Sequence, residues 1–433
     1  MSAFQMRVVA ICLLVNMADG YDVLIMSFTS IGVSDEWGLN ASRLGLLLSA
    51  GLVGMAIGSL FIAPLADRVG RRRLTIGCVV LTAVGLLLSA VAANDVQLGL
   101  YRVLTGVGIG GMMASINVIV AEFCPARRRS TAIGVYAAGY PIGGTVGGAI
   151  GAVLIANYGW RSAFVFGAVL TAALAVLVYL WVPESLEFLT ARRKADALTR
   201  VNDIMRRMGH DELTALPPVA VREQAAPRDL LRGATAWRTT ALCLGFGLIT
   251  AGFYFVNTWT PKLLLESGLS ASQGLSGAVL ISLGGIVGCA AFSLIAVRVK
   301  TVPLTMGFVV ASAVMLAVFA VSVGNLVPAF IAAAFLGFTL TGAVAGFYAI
   351  VPVQYPPSIR ATAIGLVIGV GRIGSIVAPL VVGALVDGGW QGSDLYLLFT
   401  VPVLVAALAL TAIRTNPVGF PSGAAPALKK EAA

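Results

Sequence analysis

The sequence predicts an all-α membrane protein whose twelve transmembrane helices form two pseudo-symmetric six-helix bundles. Three observations predict this fold. The 433 residues are 58% hydrophobic and only 11% charged, whereas soluble domains carry about 25% charged residues. The apolar residues form long continuous runs, unlike the short alternating segments of a membrane β-barrel. A short segment is also repeated at equivalent places in the two halves of the chain.

The apolar runs fall into two groups of six. A membrane span needs roughly 20 apolar residues. Runs of this length lie near 6–31, 43–65, 74–93, 96–121, 130–156 and 162–182, and then near 238–260, 271–297, 303–323, 326–353, 361–386 and 394–413. The predicted organisation is an N-terminal bundle (1–182), a cytoplasmic linker (183–237), a C-terminal bundle (238–413) and a cytoplasmic tail (414–433).

The positive charges predict the orientation. Of the 29 Lys and Arg residues, 24 lie in segments on the same side as the N-terminus and three lie on the other side. Cytoplasmic loops carry the excess of Lys and Arg, so both termini are expected in the cytoplasm and the chain in the inner membrane. The net charge of +10 therefore indicates topology and excludes nucleic acid as the expected partner.

The repeated segment indicates two parallel halves. Residues 125–134 and 356–365 both read P-x-x-x-R-x-T-A-I-G, 231 positions apart. Charged residues in one half have uncharged counterparts in the other: Asp19, Asp22 and Arg102 correspond to Thr250, Phe253 and Ala333, and Arg372 corresponds to Pro141. A charge present in only one half is not part of a scaffold common to both, which favours a functional role.

Four motifs carry a family resemblance. Residues 63–72 read A-P-L-A-D-R-V-G-R-R and resemble the major facilitator signature G-x-L-A-D-R-x-G-R-R, with Ala63 where glycine is usual. Residues 102–106, 139–144 and 182–185 resemble further elements of that family. The resemblance covers both halves and implies a secondary transporter of the major facilitator fold that works by alternating access.

A narrower resemblance concerns the substrate. Residues 19–22 read D-G-Y-D and residues 369–374 read G-V-G-R-I-G. Both resemble elements of the aromatic acid:proton symporters, as does Glu122 followed by Pro125 and Arg129. The resemblance implies proton-coupled import of an aromatic carboxylate such as a hydroxybenzoate. Related porters share parts of these elements, so a porter for another small organic acid or metabolite remains the alternative.

Charges inside the spans locate a candidate site, because charged residues in a membrane are costly and usually functional. A rise of 1.5 Å per residue places Asp19 and Arg372 roughly 16–18 Å from the cytoplasmic edge, near the midplane where such transporters bind substrate. Asp22 and Arg102 share a depth nearer the outer surface and can pair, either for function or only to hold helices together. We predict that Asp19 or Asp22 carries the proton.

The predicted substrate site centres on Arg372, whose planar guanidinium suits a carboxylate. Gly371 and Gly374 flank it and are expected to leave room for a ligand. The other predicted substrate contacts are polar or aromatic residues within the spans: Arg102, Tyr254, Asn257, Trp259 and Tyr348. The aromatic members have packing as their alternative role.

The predicted gate lies at the cytoplasmic ends of the helices, where Asp67 can cap a helix and make switchable ion pairs. Its members are Asp67, Arg68, Gly70, Arg71, Glu122, Arg129 and Arg360. For the arginines alone, anchoring by the positive-inside rule is the alternative.

Other functional classes find little support in the sequence. It has no H-E-x-x-H or G-x-S-x-G motif, and its one histidine, His210, lies in a polar stretch, so an enzyme is not expected. Two G-x-G-x-x-G segments lie inside predicted spans, where glycine serves close packing and not dinucleotide binding. The five cysteines form no C-x-x-C pair, so no metal or cofactor is expected. The expected partners are the acid anion, protons and lipid, and the expected state is a monomer; a receptor with a transporter-like fold remains open.

Overall fold

The structure, a computed structural model, describes residues 1–125, 129–193, 196–216, 233–355 and 357–413. The predicted tail and residues 217–232 of the predicted linker lie outside the described residues. Within the described part of the chain, twelve helical segments are long and apolar enough to cross a membrane. The predicted all-α fold of twelve spans is confirmed.

The helices fall into two halves separated by two short helices. The N-half consists of α1 (Ala3–Trp37), α2 (Ala41–Ile57), the short α3 (Ala66–Val69), α4 (Arg71–Ala90), α5 (Asp95–Glu122), α6 (Arg129–Tyr158) and α7 (Trp160–Trp181). The short helices are α8 (Leu186–Arg192) and α9 (Ala197–Met208). The C-half consists of α10 (Gly233–Glu266), α11 (Ala271–Ile295), α12 (Thr301–Ser322), α13 (Leu326–Val353), α14 (Pro357–Asp387) and α15 (Gly392–Thr411).

Local sequence signals set the helix ends, and they make α1 longer than its predicted apolar run. The Ser2 hydroxyl caps α1 by accepting from the Gln5 backbone N–H at 3.3 Å. The helix then continues to Trp37 and ends where Gly38 adopts the left-handed conformation, with φ 59°, which glycine reaches without steric cost. Asn40 caps α2 through its side-chain oxygen. Hydropathy alone misses such polar ends because they lie beyond the apolar run.

Glycines allow helix backbones within each half to touch. A Cβ atom on Gly20 would lie 2.0 Å from the Tyr140 carbonyl oxygen, so α1 and α6 cross at this point with no side chain between them. Gly106 and Gly110 face the backbones of Gly51 and Met55 in the same way, joining α5 to α2. Small residues allow such approaches in membrane helices, and the first G-x-G-x-x-G segment is therefore a packing element.

The two halves contact each other at the end of the bundle where α1 is joined to α2, which we name the α1–α2 end. There Asp387 of α14 accepts from two backbone N–H groups at the start of α2, Ala41 at 2.8 Å and Ser42 at 2.9 Å. Two further bonds lie deeper: Ser27 donates to the Thr258 carbonyl at 2.8 Å and Ser49 to the Ile376 carbonyl at 2.9 Å. Hydrogen bonds that join two described residues across the halves all lie between this end and mid-depth.

We expect Asp387→Ala to favour separation of α2 from α14 at the α1–α2 end. A carboxylate at a helix N-terminus contributes about 1 kcal/mol, so the population of the separated form should rise about fivefold. The distance between spin labels in the α1–α2 and α14–α15 loops measures this change. Asp394→Ala is the matched control, because among the described residues Asp394 bonds only within its own helix cap, at Gln391. Equal distance distributions for both variants would contradict the proposed role of Asp387 in holding α2 against α14.

Candidate functional site

A buried ion pair joins α1 to α5 inside the N-half. Arg102 Nη1 donates to Asp22 Oδ1 at 2.8 Å, and Nη2 donates to Asp22 Oδ2 at 3.1 Å and to the Asp22 carbonyl at 2.9 Å. Both residues are 2% exposed. Gly51 of α2 lies beside the guanidinium, and a Cβ there would make an ordinary van der Waals contact with Nη2 at 3.4 Å. The predicted partners are therefore in contact, in a bidentate geometry typical of strong pairs.

A small cavity adjoins this pair. It is lined by Asp22, Gly51, Met55 and Arg102, among others, and has room for about one water molecule. The Nε atom of Arg102 is buried and has no hydrogen-bond partner among the described residues. This space is too small for an aromatic acid, so the predicted substrate contact at Arg102 stays a prediction.

Asp19 has a different environment from Asp22, although both are on α1. It is 2% exposed, and its Oδ2 atom has no hydrogen-bond partner among the described residues. An isolated ionised carboxylate is costly to bury, and such a group is favoured in its neutral, protonated form. The structure thus separates the two predicted proton carriers into a paired acid and an unpaired one.

Arg372 of α14 reaches across to the N-half. Its Nη1 and Nη2 atoms lie 3.7 Å from the thioether sulfurs of Met55 and Met113. A thioether is only a weak acceptor. Among the described residues, no carboxylate forms an ion pair with this guanidinium, which leaves its charge available to an anion.

The glycines beside Arg372 do not have the predicted role. A Cβ on Gly371 would lie 2.4 Å from the Phe246 ring, and one on Gly374 would lie 2.1 Å from the Gly247 carbonyl oxygen. Both glycines therefore allow α14 to pack closely on α10. The prediction that they leave room for a ligand is wrong, because the neighbouring helix already occupies that space.

Three tyrosines lie within electrostatic range of Asp19 or Arg372, and a fourth, Tyr254, lies within range of two of these tyrosines. The Tyr140 hydroxyl lies within electrostatic range of Arg372, Asp19 and Tyr254, and Tyr348 lies within range of Arg372 and Tyr254. Tyr136, on the same helix as Tyr140, lies within range of Asp19. Sequence reasoning missed the two tyrosines of α6. Their signal is the spacing of four residues, which places both on one helix face.

The remaining predicted substrate residues differ in their exposure and in their hydrogen bonds. The Asn257 side chain donates to the Phe253 carbonyl of its own helix at 2.8 Å. Trp259 is fully buried in an apolar cluster that contains residues of both halves, and its Nε1 has no partner among the described residues. Tyr348 is 52% exposed, with its ring 5.3 Å from that of Phe246. Substrate contact by these residues stays a prediction.

The predicted gate residues Arg71 and Glu122 are at the centre of a polar network at the end of the bundle opposite the α1–α2 end. Arg71 Nη1 lies 2.7 Å from Glu122 Oε1, 2.8 Å from Ser185 Oγ and 3.0 Å from Glu187 Oε2. Glu122 also accepts from the Ser185 hydroxyl and the Leu186 backbone N–H. The network therefore ties α4 and α5 to the start of α8.

Helix capping in this network comes from a residue that was not predicted. Glu184 Oε1 accepts from the Arg72 backbone N–H at 2.9 Å, at the start of α4. Gly70 makes this possible: it adopts φ 108°, and a Cβ there would lie 2.5 Å from Glu184 Oε2. The Asp67 side chain is 81% exposed, and its Oδ1 atom makes a long contact with Arg71 Nη2 at 3.7 Å. Glu184, and not Asp67, caps the helix, so the prediction that Asp67 caps a helix is not met here.

Three other predicted gate residues lie outside this network or cannot be placed in it. Arg68 is exposed, and its carbonyl accepts from Arg192. Arg360 is exposed and donates to the Tyr355 carbonyl at 3.3 Å. Arg129 begins α6, and its side chain lies outside the described residues. A gating role for all seven residues stays a prediction.

We expect Glu122→Ala to destabilise the protein and Asp67→Asn to leave its stability nearly unchanged. The first change leaves the mostly buried Arg71 guanidinium without its shortest carboxylate contact, at a cost of about 2 kcal/mol; the second removes an exposed pair worth under about 0.5 kcal/mol. Thermal unfolding of the purified variants measures both. Asp67→Asn should slow transport all the same; equal melting temperatures for the two variants would contradict this account of the network.

Comparison with known proteins gives concordant results. The sequence matches the family model described as Major Facilitator Superfamily over residues 9–343. It is 32% identical to the gallate transporter of Pseudomonas putida, with 95% of this chain and 92% of that protein covered. The 4-hydroxybenzoate transporter PcaK of the same species is 29% identical, with the same coverage.

A solved structure has the same fold. The xylose transporter XylE from E. coli, in a partially occluded inward open conformation, matches with a TM-score of 0.77 over 95% of this chain and 99% of that chain. At 16% identity, the likeness concerns the fold alone.

Proposed function

The chain belongs to the Major Facilitator Superfamily, and we propose that it is a proton-coupled symporter that imports an aromatic carboxylate such as a hydroxybenzoate. Membership makes it a multi-pass membrane transporter and not an enzyme. The observation that carries the proposal is the setting of Arg372, a cation between the two halves. Among the described residues, its guanidinium has only sulfur atoms as hydrogen-bond partners, at 3.7 Å. A buried acid, Asp19, lies in the same region.

The surroundings of Arg372 support an aromatic carboxylate as the substrate. A guanidinium binds a carboxylate through two parallel hydrogen bonds, and these are far stronger than its contacts with Met55 and Met113. Methionine sulfur also packs favourably against the edge of an aromatic ring. Tyr348 adds aromatic surface near the cation, and Tyr254 lies within electrostatic range of Tyr348. The relatives named for gallate and 4-hydroxybenzoate support the same class.

Asp19 is the proposed proton carrier. Asp22 accepts two side-chain hydrogen bonds from Arg102 and is committed to this pair. Asp19 has no such partner among the described residues and gains little from ionisation. Protonation and deprotonation can therefore alternate at Asp19 while the Asp22–Arg102 pair stays intact and holds α1 against α5.

The proposed orientation places both termini in the cytoplasm and the chain in the inner membrane. The α1–α2 end then faces outward, and the described conformation is closed on the outside, with Asp387 bonded to the start of α2. The Arg71 network lies on the cytoplasmic side, where it gates alternation. The proposed unit is a monomer, as each chain holds both halves of the site.

Uptake of radiolabelled 4-hydroxybenzoate into proteoliposomes tests the function. We expect uptake to rise as the external pH falls and to stop when a protonophore is added. Undiminished uptake in depolarised, pH-clamped vesicles without another ion gradient would rule out proton coupling. Competition by aliphatic acids and sugars, but not by aromatic acids, would favour a porter for another metabolite.

A further inference from the structure

Seven buried side-chain polar atoms in the N-half lack hydrogen-bond partners among the described residues. Three of them concern the proposed site: the Asp19 Oδ2 atom and the hydroxyls of Tyr136 and Tyr140. Asp19 is 2% and Tyr136 is 4% exposed. Buried polar side-chain atoms are nearly always paired, and each one that is not needs an explanation.

The fold brings these atoms to one place. Tyr136 and Tyr140 are one turn apart on α6, on the same helix face. The Tyr136 carbonyl accepts from the Asn16 side chain of α1 at 2.6 Å, and the Tyr140 backbone touches Gly20. These two contacts bracket Asp19 along α1. Both hydroxyls also lie within electrostatic range of Asp19.

The same group of atoms adjoins the proposed carboxylate site. The Tyr140 hydroxyl faces that of Tyr254 without a well-formed hydrogen bond, and it lies within electrostatic range of Arg372. Tyr140, Tyr254, Met55 and Met113 all pack on one apolar cluster in the N-half, which also connects them to Arg372 through the two sulfurs. Tyr140 is therefore common to the surroundings of the cation and to those of Asp19.

We propose that Asp19, Tyr136 and Tyr140 form a subsite for a ring hydroxyl of the substrate, so that the protein selects hydroxylated aromatic carboxylates over unsubstituted ones. The inference rests on the proposed function. A phenolic hydroxyl both donates and accepts: it donates to an ionised Asp19 Oδ2 or accepts from a protonated one, and it pairs with either tyrosine hydroxyl.

Selection follows from the cost of unpaired groups. A site built to bond a substrate hydroxyl rejects an analogue that lacks it, because the buried polar groups of the site then stay unpaired. A site filled by a trapped water molecule behaves differently, because its polar atoms stay paired whichever ring is bound. The two arrangements therefore differ in the affinity ratio between hydroxylated and plain acids.

The first measurement is calorimetric titration of the purified wild-type protein with benzoate, 3-hydroxybenzoate and 4-hydroxybenzoate. The better of the two hydroxylated acids should bind at least about tenfold more tightly than benzoate. Equal affinities for all three acids would overturn the subsite and leave the proposed function standing. If none of the acids binds, the proposed function fails, and the subsite fails with it.

The second measurement removes the hydroxyls. Tyr136→Phe and Tyr140→Phe, alone and together, should reduce the affinity ratio to about twofold or less, because the substrate hydroxyl loses its partners and the benzoate complex no longer holds unpaired tyrosine hydroxyls. Tyr396→Phe is the matched control: Tyr396 is also fully buried, but its hydroxyl already bonds Thr260 at 2.7 Å. A wild-type ratio that survives the double variant would overturn the assignment. If a variant does not fold, the titrations of the wild-type protein with the three acids still test the subsite.

Discussion

Replacement of Arg372 by alanine is expected to abolish binding of carboxylate substrates, with a loss of at least about 100-fold in affinity. The guanidinium contacts two sulfurs and forms no ion pair with a described carboxylate, so its charge is available to the ligand. Arg372→Lys should restore binding only in part, because an ammonium lacks the planar fork that binds both carboxylate oxygens. Titration of each variant with 4-hydroxybenzoate measures the effect.

The same variants separate ligand binding from a structural role. Since no described carboxylate depends on Arg372 for charge compensation, Arg372→Ala should not lower the melting temperature appreciably. Arg43→Ala is the matched control for loss of a positive charge. Arg43 is exposed, and its one ion pair with a described residue is that with Asp95, at 3.3 Å.

Two outcomes would contradict this role for Arg372. The first is equal affinity of the wild-type protein for 4-hydroxybenzoate and for its uncharged amide. The second is recovery of binding when Arg372→Ala is combined with Asp19→Asn. Recovery would mean that the two residues form a pair of opposite charges whose only role is mutual compensation.

Much of the fold could be predicted because lipid imposes a simple rule on the sequence. Every span must be apolar and long enough to cross, so hydropathy shows the number and order of the helices. The helix ends were harder: α1 runs to Trp37 because Gly38 ends it, well beyond the last residue of its apolar run. Depth along the helix axis was enough to anticipate the contact between Asp22 and Arg102.

The rest of the site depends on neighbours that are distant in sequence. Glycine in a membrane helix makes room either for a ligand or for another helix, and only the position of Phe246 shows that Gly371 does the latter. Glu184 caps a helix by accepting from the backbone N–H of Arg72, 112 residues earlier in the chain. In the sequence, Tyr136 and Tyr140 lie in an apolar run and cannot be distinguished from packing residues. Only the packing of α6 against α1 shows that their hydroxyls are buried and unpaired.

The two acids of α1 are expected to respond in opposite ways to neutralisation. Asp22→Asn leaves the buried Arg102 guanidinium without its counter-charge, which should destabilise the protein by about 3–5 kcal/mol. Asp19→Asn removes a carboxyl group that has no ion-pair partner among the described residues and should leave the melting temperature unchanged or raise it. Asp22→Asn combined with Arg102→Gln should recover much of the lost stability.

Transport assays on Asp19→Asn then test the proton carrier directly. Without a titratable group at this position, a pH gradient should no longer drive accumulation of 4-hydroxybenzoate in proteoliposomes. Exchange of labelled for unlabelled substrate should continue, because exchange needs no net proton movement and the amide can still hydrogen-bond a ring hydroxyl. If accumulation still follows the pH gradient in Asp19→Asn, the proton carrier is a group other than Asp19. A loss of stability equal to that of Asp22→Asn would show that Asp19 is part of the ion-pair scaffold of α1.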